Sequence, residues 1–536
     1  MPPEVAPGVV EHPEIDAGPT AHPELESHEV RRLAVRGVGV LVARSLAQRG
    51  LQMAGNILLA RWLAPRTFGL YAVVSFFIGL AGFLSDLGIG ASLVQRRERL
   101  TDRDLHTAFT VSLAMNLLVI GSLWMAAPLL AAAYEVPGSV PLLRAMSFTI
   151  LLGTFSAIPA VVLERKLRFK TLAVADLAGQ VAYLAVALSM AAKYWRQPSL
   201  AEAQTSEAVW IFVYATIASR LVHAAIVNVS SPWRPRLRFE PGRARRLLAF
   251  GVPYQVNGLV NAMKDNFIPI FVALVTGATA AGYVIWAVGL VTNALLFMPV
   301  VSKVAFPAFA RLQHDPKALR GAVEAAIRLV AITVVPAALF LAAFAGQIVE
   351  HVYGPKWMPA LPSVYLLCIP MINSAYSTVC VSALYGLGRS KTVLKLTLVW
   401  AIAGWAVGVP LTLAFGMHGF ALAMSLVSWL SFMSVRALRR HVEVSFVPAM
   451  LRISAAAAVP AAICWAVSDT LVHNAAQLAA LALAGGLVYL AGLRLTGDLG
   501  VLLAIVKRHR GAADASSVPR PSPLAQTAPD IAAEHA

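Results

Sequence analysis

Charged residues are scarce in this sequence, and their scarcity excludes an ordinary soluble protein. Only 13% of the 536 residues are charged, 58% are hydrophobic and the mean hydropathy is +0.70, whereas a soluble domain is about one-quarter charged. Apolar runs of about 20 residues, long enough to cross ~30 Å of hydrocarbon, recur along almost the whole chain. The composition therefore indicates an all-α, polytopic membrane protein.

Cysteine and nucleotide-binding patterns are equally sparse. Cys368, Cys380 and Cys464 all fall inside apolar segments, so they offer neither a disulfide framework nor a zinc spacing. The stretch GLGRSKT at 386–392 has a serine where a phosphate-binding loop needs glycine, and no strand precedes it. The sequence therefore predicts no catalytic residues, no metal site and no cofactor.

Fourteen membrane spans are predicted from the apolar runs, and a weak internal repeat arranges them in two halves. RRLAVRGV at 31–38 reappears as RRLLAFGV at 245–252, and the stretch that begins at Gly69 has a counterpart that begins at Gly282. Repeats of this kind build transporters whose two lobes rock about a central site. The predicted spans are 37–60, 68–94, 107–133, 140–162, 171–192, 208–230, 247–275, 279–305, 322–346, 360–386, 392–414, 417–436, 449–468 and 474–495.

The repeat and the composition together predict the domain organisation. Pro-, Glu-, Ala- and Ser-rich ends cannot bury a core, so both are expected to be disordered tails, and the first one lacks the basic and apolar regions of a signal peptide. In order, the predicted parts are an N-terminal tail (1–30), a six-helix lobe (31–230), a basic cytoplasmic linker (231–246), a second six-helix lobe (247–440), two extra transmembrane helices (449–495) and a C-terminal tail (507–536).

Arginine and lysine are concentrated in alternate loops, and this bias predicts the orientation of the chain. Loops such as 95–103, 164–170 and 231–246 are strongly basic, whereas the intervening loops are short and carry few basic residues. Cytoplasmic loops of membrane proteins are rich in these residues, so both termini are expected in the cytoplasm. The same bias explains most of the +17 formal charge, and no nucleic-acid partner is predicted.

The first predicted span carries a polar face inside its apolar length. That face consists of Arg44, Gln48, Arg49, Gln52 and Asn56. An arginine at a helix centre costs ~2.5–3.5 kcal/mol on insertion scales, so the face should meet a wet cavity or a partner. Two interpretations stay open: a substrate-binding cavity, or a structural ion pair of Arg44 or Arg49 with a carboxylate such as Asp86.

The seventh predicted span repeats this character, as its place in the internal repeat leads one to expect. Its polar residues are Asn257, Asn261, Lys264 and Asp265. The amides and the lysine are candidates for the same cavity, although an inter-helix ion pair without a transport role is an open alternative. Single charges in other spans, together with Asp265, are candidates for ion coupling or structural pairing: Asp86, Asp176 and Lys303.

A family resemblance rests on two stretches of the sequence. They are ARWLAPRTFGLYAVVSFFIGLAGFLSDLGIGASLVQRRERLTDRDLHTAF at 60–109 and PAVVLERKLRFK at 159–170. Both resemble bacterial polysaccharide and O-antigen flippases of the multidrug/oligosaccharidyl-lipid/polysaccharide exporter superfamily, and the likeness covers about residues 31–440.

The resemblance implies a function and a set of partners. It implies that an undecaprenyl-diphosphate-linked oligosaccharide moves by alternating access from the cytoplasmic to the periplasmic leaflet of the inner membrane, for O-antigen, exopolysaccharide or capsule synthesis. The polymerase and glycosyltransferases of that pathway are the implied protein partners. Because no nucleotide-binding motif is present, a proton gradient, a sodium gradient or the membrane potential is the expected energy source.

Three alternatives differ from this reading in what they require of the sequence. A cation-coupled drug exporter of the same superfamily would need carboxylates to bind its cargo, whereas the intramembrane charge here leans to arginine and lysine. A peptidoglycan-precursor flippase would share the cationic cavity and the two extra helices. A membrane-embedded polysaccharide polymerase would need a sizeable extracytoplasmic loop, and the predicted loops are short.

Overall fold

The structure is a computed structural model, and it describes residues 27–500 except for 87, 90–91, 94–100, 137, 198–203, 250–254, 256–270, 296–297, 446 and 499. Within this part fourteen α-helices have defined bounds, residues 241–249 are also helical, and no strand is present. The helices are α1 (Ser27–Trp62), α2 (Pro65–Asp86), α3 (Asp102–Ala133), α4 (Ser139–Arg165), α5 (Phe169–Arg196), α6 (Thr205–Ser230), α7 (Ala273–Ala294), α8 (Met298–Arg311), α9 (Pro316–Gln347), α10 (Leu361–Gly386), α11 (Ser390–Ser428), α12 (Phe432–Arg439), α13 (Val447–Leu471) and α14 (Ala475–Leu495).

The helical segments are long and apolar enough to confirm the predicted polytopic membrane fold. Eleven of them in the described part of the chain meet both requirements for crossing a membrane. A helix satisfies all of its backbone hydrogen bonds internally, which hydrocarbon demands. α1 is not one of the eleven because its arginines and glutamines lower its hydropathy.

Four predicted spans differ from the helices in detail. Predicted span 279–305 runs past the end of α7 at Ala294 into α8. Spans 392–414 and 417–436 are joined through α11, whose backbone breaks at Gly416 (φ 59°, ψ −135°). This left-handed conformation favours glycine, which has no Cβ to clash, so the predicted boundary falls at the break. Predicted span 247–275 lies mostly outside the described residues, as do nearly all of the two predicted tails.

Two helical bundles form the body of the molecule. α1 to α6 pack together as the first bundle, with α5 between α1 and α6; α7 to α12 form the second, centred on α10. α13 packs against α9, and α14 packs against α13. Tyr489 donates to the Ile332 carbonyl at 2.8 Å, and Gln347 donates to Asp469 at 2.8 Å. The two C-terminal helices are therefore attached to the second bundle.

The chain between the bundles is held against the first bundle through two anchors. Trp233 is 1% exposed and packs in an apolar cluster with Leu105. Arg243 Nη1 lies 2.7 Å from Asp104 Oδ1 at the start of α3, and this hydrogen bond is the main cause that raises the pKa of Arg243. The basic linker is thus fixed to the protein at both of its ends.

Candidate functional site

A central cavity of ≈ 680 Å³ lies between the two bundles. Its walls come from α1, α2, α5 and α6 on one side and from α7 and Tyr353 on the other. The polar lining residues are Gln52, Asn56, Ser75, Gln180 and Asn293, and the aromatic ones are Phe68, Tyr71, Phe76, Phe83, Tyr183, Phe212, Trp286 and Tyr353. Among the described residues, no Asp, Glu, Lys or Arg lines this cavity.

An aromatic cluster closes one end of the cavity, where the α1–α2 turn meets residues 351–360; we call it the joined end. Trp357 has no exposed surface. Its ring stacks on Trp286 with the centroids 4.9 Å apart, and Phe68 meets it edge-on at 5.4 Å. Aromatic pairs in these geometries are worth about 0.5–1.5 kcal/mol beyond their buried area. The two bundles therefore share one apolar seal.

Hydrogen bonds to backbone carbonyls reinforce the joined end from both sides. Arg61 on α1 donates to the carbonyls of His351 and Val352, each at 2.9 Å. In return, Lys356 Nζ donates to the carbonyls of Arg61 and Leu63 at 2.9 and 2.7 Å. Trp357 Nε1 donates to the Ala60 carbonyl at 2.8 Å. Each bundle thus donates side-chain hydrogen bonds to the backbone of the other bundle.

Two glycines at equivalent places in the internal repeat let the bundles touch. A methyl group on Gly69 of α2 would overlap the Ala278 carbonyl of α7, and one on Gly282 would overlap the Pro65 carbonyl of α2. Small residues allow transmembrane helices to approach closely in this way. The repeat that the sequence reveals is therefore also a contact between its two copies.

A charged group lies on the first bundle, away from the joined end. Arg44 Nη1 on α1 is 2.7 Å from Asp176 Oδ2 on α5, and His223 Nε2 on α6 is 3.4 Å from Asp176 Oδ1. All three side chains are partly exposed, at 25%, 28% and 23%. Arg44 pairs with Asp176 because α5 packs beside α1, whereas Asp86 was the example of a partner that the ion-pair interpretation gave.

The remaining predicted site residues divide into three groups. Gln52 and Asn56 line the central cavity. Gln48 and Arg49 are half-buried on α1, and Asp86 is exposed at the end of α2. Outside the described residues lie Asn257, Asn261, Lys264, Asp265 and the side chain of Lys303.

Several cavity residues were missed by the sequence analysis. Gln180 and Asn293 are single amides in long apolar helices, and a lone amide carries little signal by itself. His223 was missed for the same reason. The aromatic lining comes from five different segments, so no local pattern collects it. Gln180 follows Asp176 by one helical turn, and that spacing could have indicated a shared face.

A second cavity of ≈ 440 Å³ lies inside the second bundle, between α7, α10 and α11. Its lining is largely apolar and includes Met371, Trp400 and Phe420. Val288 of α7 lines both cavities. α7 therefore forms the wall between the central cavity and the interior of the second bundle.

The fold and the cavity define a multi-span helical membrane protein with a central site between two bundles. Residues 58–362, more than half of the chain, match the family model Polysacc_synt_3, described as polysaccharide biosynthesis protein. The chain belongs to this family of polysaccharide biosynthesis proteins. The resemblance stated from the sequence is thereby confirmed.

Curated relatives have names from the same area of biology. The chain is 24% identical to lipopolysaccharide biosynthesis protein WzxC of Escherichia coli over 60% of this chain and 63% of that protein. It is 25% identical to teichuronic acid biosynthesis protein TuaB of Bacillus subtilis over 54% and 58%, and 23% identical to succinoglycan biosynthesis transport protein ExoT of Rhizobium meliloti over 69% and 73%. The chain therefore spans less than two thirds of the length of WzxC and TuaB.

Solved structures share the fold at low sequence identity. Lipid II flippase MurJ in an inward closed conformation matches with a TM-score of 0.63 at 13% identity, over 85% of this chain and 99% of that chain. An inward-facing multidrug resistance MATE family transporter of the MOP superfamily matches with a TM-score of 0.55 at 13% identity, over 73% and 96%. These likenesses establish the two-bundle architecture.

Proposed function

We propose that this protein is a transporter, not an enzyme, and that it moves a polyprenyl-diphosphate-linked oligosaccharide from the cytoplasmic to the periplasmic leaflet of a bacterial inner membrane. The observation that carries the proposal is the amide- and aromatic-lined cavity between the two bundles. The names of the relatives, which refer to lipopolysaccharide, teichuronic acid and succinoglycan biosynthesis, support a surface polysaccharide as the end product.

The cavity lining matches the chemistry of a sugar headgroup. A sugar unit carries hydroxyl groups around its ring and C–H groups on its faces. Side-chain amides both donate and accept hydrogen bonds, and aromatic faces carry the partial negative charge that attracts C–H groups. Gln180 and Asn293 face the cavity from opposite bundles, with Tyr71 and Trp286 beside them.

The diphosphate would lie along α1, toward Arg44 and Arg49. Arginine holds phosphate oxygens with two parallel N–H···O bonds, which lysine cannot do. Arg44 precedes the cavity residue Gln52 by two helical turns, or about 12 Å at 1.5 Å per residue. A headgroup whose sugars occupy the cavity therefore directs its diphosphate toward this end of α1.

The orientation and the transport cycle follow from the distribution of basic residues. Basic loops at 95–103 and 231–246 belong in the cytoplasm, so both termini are cytoplasmic and the joined end faces the periplasm. The cavity accepts its substrate from the cytoplasmic side and releases it when the joined end separates. An ion gradient or the membrane potential drives the cycle, and the pathway's polymerase and glycosyltransferases are the partners.

A drug exporter for organic cations is disfavoured by the site. Such cargo would need a carboxylate in the cavity to balance its charge. In the described lining no carboxylate is present, and Asp176 already pairs with Arg44.

The test is a transport assay on the full-length protein in proteoliposomes. The probe is a fluorescent polyprenyl-diphosphate oligosaccharide, whose movement is measured by its exposure to a membrane-impermeant sugar oxidant. Gln180→Leu and Asn293→Leu should each slow transport about fivefold, because each removes a hydrogen bond worth about 1 kcal/mol. Arg44→Ala and Arg49→Ala should abolish transport, and Arg49→Lys should restore part of it.

Thr397→Val is the matched control, since its hydroxyl bonds to the Val393 carbonyl of its own helix and lines neither cavity. It should transport at the wild-type rate. Transport of a lipophilic cation with no movement of the lipid-linked sugar would contradict the proposal and favour the drug-exporter alternative.

A further inference from the structure

The group Arg44–Asp176–His223 is built from three helices that pack side by side. α5 lies between α1 and α6, and Asp176 on α5 turns one carboxylate oxygen to Arg44 and the other to His223. The Arg44 Nε atom is buried and has no hydrogen-bond partner among the described residues. The arginine is thus only partly satisfied by Asp176.

The position of the group connects it to the central cavity. Asp176 precedes the cavity residue Gln180 by one turn of α5, a rise of about 6 Å. Arg44 lies on the α1 face that continues to Gln52 and Asn56. An anion that enters beside the cavity therefore reaches Arg44 with Asp176 as its competitor.

From this geometry we infer that Asp176 is the resident counter-ion of Arg44, that the anionic phosphate of the substrate displaces it, and that His223 then binds a proton and becomes the new partner of Asp176. The inference rests on the proposed function. The proton comes from water and binds the neutral imidazole of His223, which thereby becomes a cation. Substrate capture would therefore be coupled to the uptake of one proton.

The physical reason lies in the charges. With Arg44 in place, the negative charge of Asp176 is already balanced by an ion pair. When a phosphate takes Arg44, a partly buried carboxylate would stay unpaired, which is strongly unfavourable. Histidine is the side chain that changes charge most readily near neutral pH, and at 3.4 Å its cation restores the balance.

Several other charged groups lie on the helices that pack around Asp176. In the described part of the chain none of them forms an ion pair with Asp176. These groups are Arg49 on α1, Asp86 on α2, Glu164 and Arg165 on α4, Lys170 on α5 and Arg220 on α6. Tyr183 on α5 is the nearest titratable group of the cavity wall along that helix.

The test measures protons together with ligand binding. The full-length protein in lipid nanodiscs is titrated by calorimetry with a C15 isoprenyl diphosphate at pH 6 and pH 8, in two buffers of different ionisation enthalpy. Because the bound state holds the additional proton, affinity should rise as the pH falls, by about five- to tenfold. The buffer difference should correspond to uptake of up to one proton per ligand.

The variants separate the roles of His223 and Asp176. His223→Gln and His223→Asn should bind with no proton uptake and the same affinity at both pH values. Asp176→Asn removes the competitor, so it should bind more tightly than the wild type at pH 8 and take up no proton. His418→Gln is the matched control, because His418 is a half-buried imidazole of the second bundle that contacts Ser363. It should behave as the wild type.

The outcomes distinguish a failure of the exchange of partners from a failure of the proposed diphosphate contact. Unchanged proton uptake in both His223 variants, or binding by Asp176→Asn as weak as that of Arg44→Ala, would overturn the exchange of partners. If the wild type binds the diphosphate but takes up no proton, this inference alone is wrong. If the wild type binds no better than Arg44→Ala, the diphosphate contact of the proposed function is wrong and the exchange falls with it.

Discussion

The joined end and the Arg44 end of the molecule are held by different chemistry. At the joined end, Arg61 and Lys356 donate to backbone carbonyls of the other bundle. At the other end, Arg44 meets a carboxylate of its own bundle. A backbone carbonyl is fixed by the chain and carries no charge that changes with pH. A side-chain carboxylate is charged and can exchange one cationic partner for another.

If the protein works by the alternating cycle proposed above, the difference gives each end its own part in that cycle. Contacts between bundles, such as those of Trp357 with Phe68 and Ala60, break only when whole helices move apart. The Arg44–Asp176 contact lies within one bundle, so a bound anion can replace it without a rearrangement of the fold. Under the proposed function, the joined end would control conformation and the Arg44 end would respond to bound substrate.

The largest effect is expected from filling the glycine contact between the bundles. Gly69→Leu or Gly282→Leu should abolish export, because the new side chain overlaps a backbone carbonyl of the opposite helix and the joined end cannot form. Surface polysaccharide and the abundance of the membrane-inserted protein are the two measurements. Gly82→Ala is the control on the same helix, since a methyl group there meets nothing within 4 Å.

A smaller effect is expected from opening the aromatic seal. Trp357→Ala should expose the cavity at the joined end, because it removes the buried ring on which Trp286 and Phe68 pack. Removal of a large buried ring also costs about 3–5 kcal/mol of stability. The readout is labelling of Ala72→Cys, a cavity position, by a water-soluble thiol reagent added outside the cell. The background protein lacks the three buried native cysteines.

Trp195→Ala serves as the control for the seal. Trp195 is 63% exposed and packs on Trp62, so its loss should leave the labelling of the Ala72→Cys protein unchanged. Equal labelling of the Trp357→Ala and unmodified backgrounds would show that the aromatic cluster does not close the cavity.

The helices and their boundaries can be predicted from the sequence, because they depend on local composition. Runs of about 20 apolar residues indicate helices wherever they occur, and the predicted boundary between two spans coincides with the break at Gly416. The repeat relates Gly69 to Gly282 because both copies keep the same spacing. These two glycines also bring the bundles into contact. That contact depends on how α2 packs against α7, which the sequence alone does not show.

Pairing between distant helices is what the sequence does not predict. The Arg44–Asp176 bond joins residues 132 positions apart, and hydropathy gives no rank to the carboxylates available to Arg44. His223 is the single histidine of a mostly apolar helix. Only the packing of α5 between α1 and α6 brings the three together, and that packing is set by the shapes of many side chains.

The smallest effect concerns the linker, which the proposed orientation puts in the cytoplasm, and it refines the comparison there. Arg236 is exposed, so Arg236→Lys keeps the charge and should leave export and thermal stability unchanged. Arg243 instead bridges Asp104 and Glu240 with two different nitrogens, and lysine has no fork to replace both bonds. Arg243→Lys should therefore lower the free energy of unfolding by about 1 kcal/mol while export continues, measured by thermal unfolding of the purified protein beside Arg236→Lys. A loss of export in Arg236→Lys at normal stability would instead indicate that the exposed arginines recognise a specific partner.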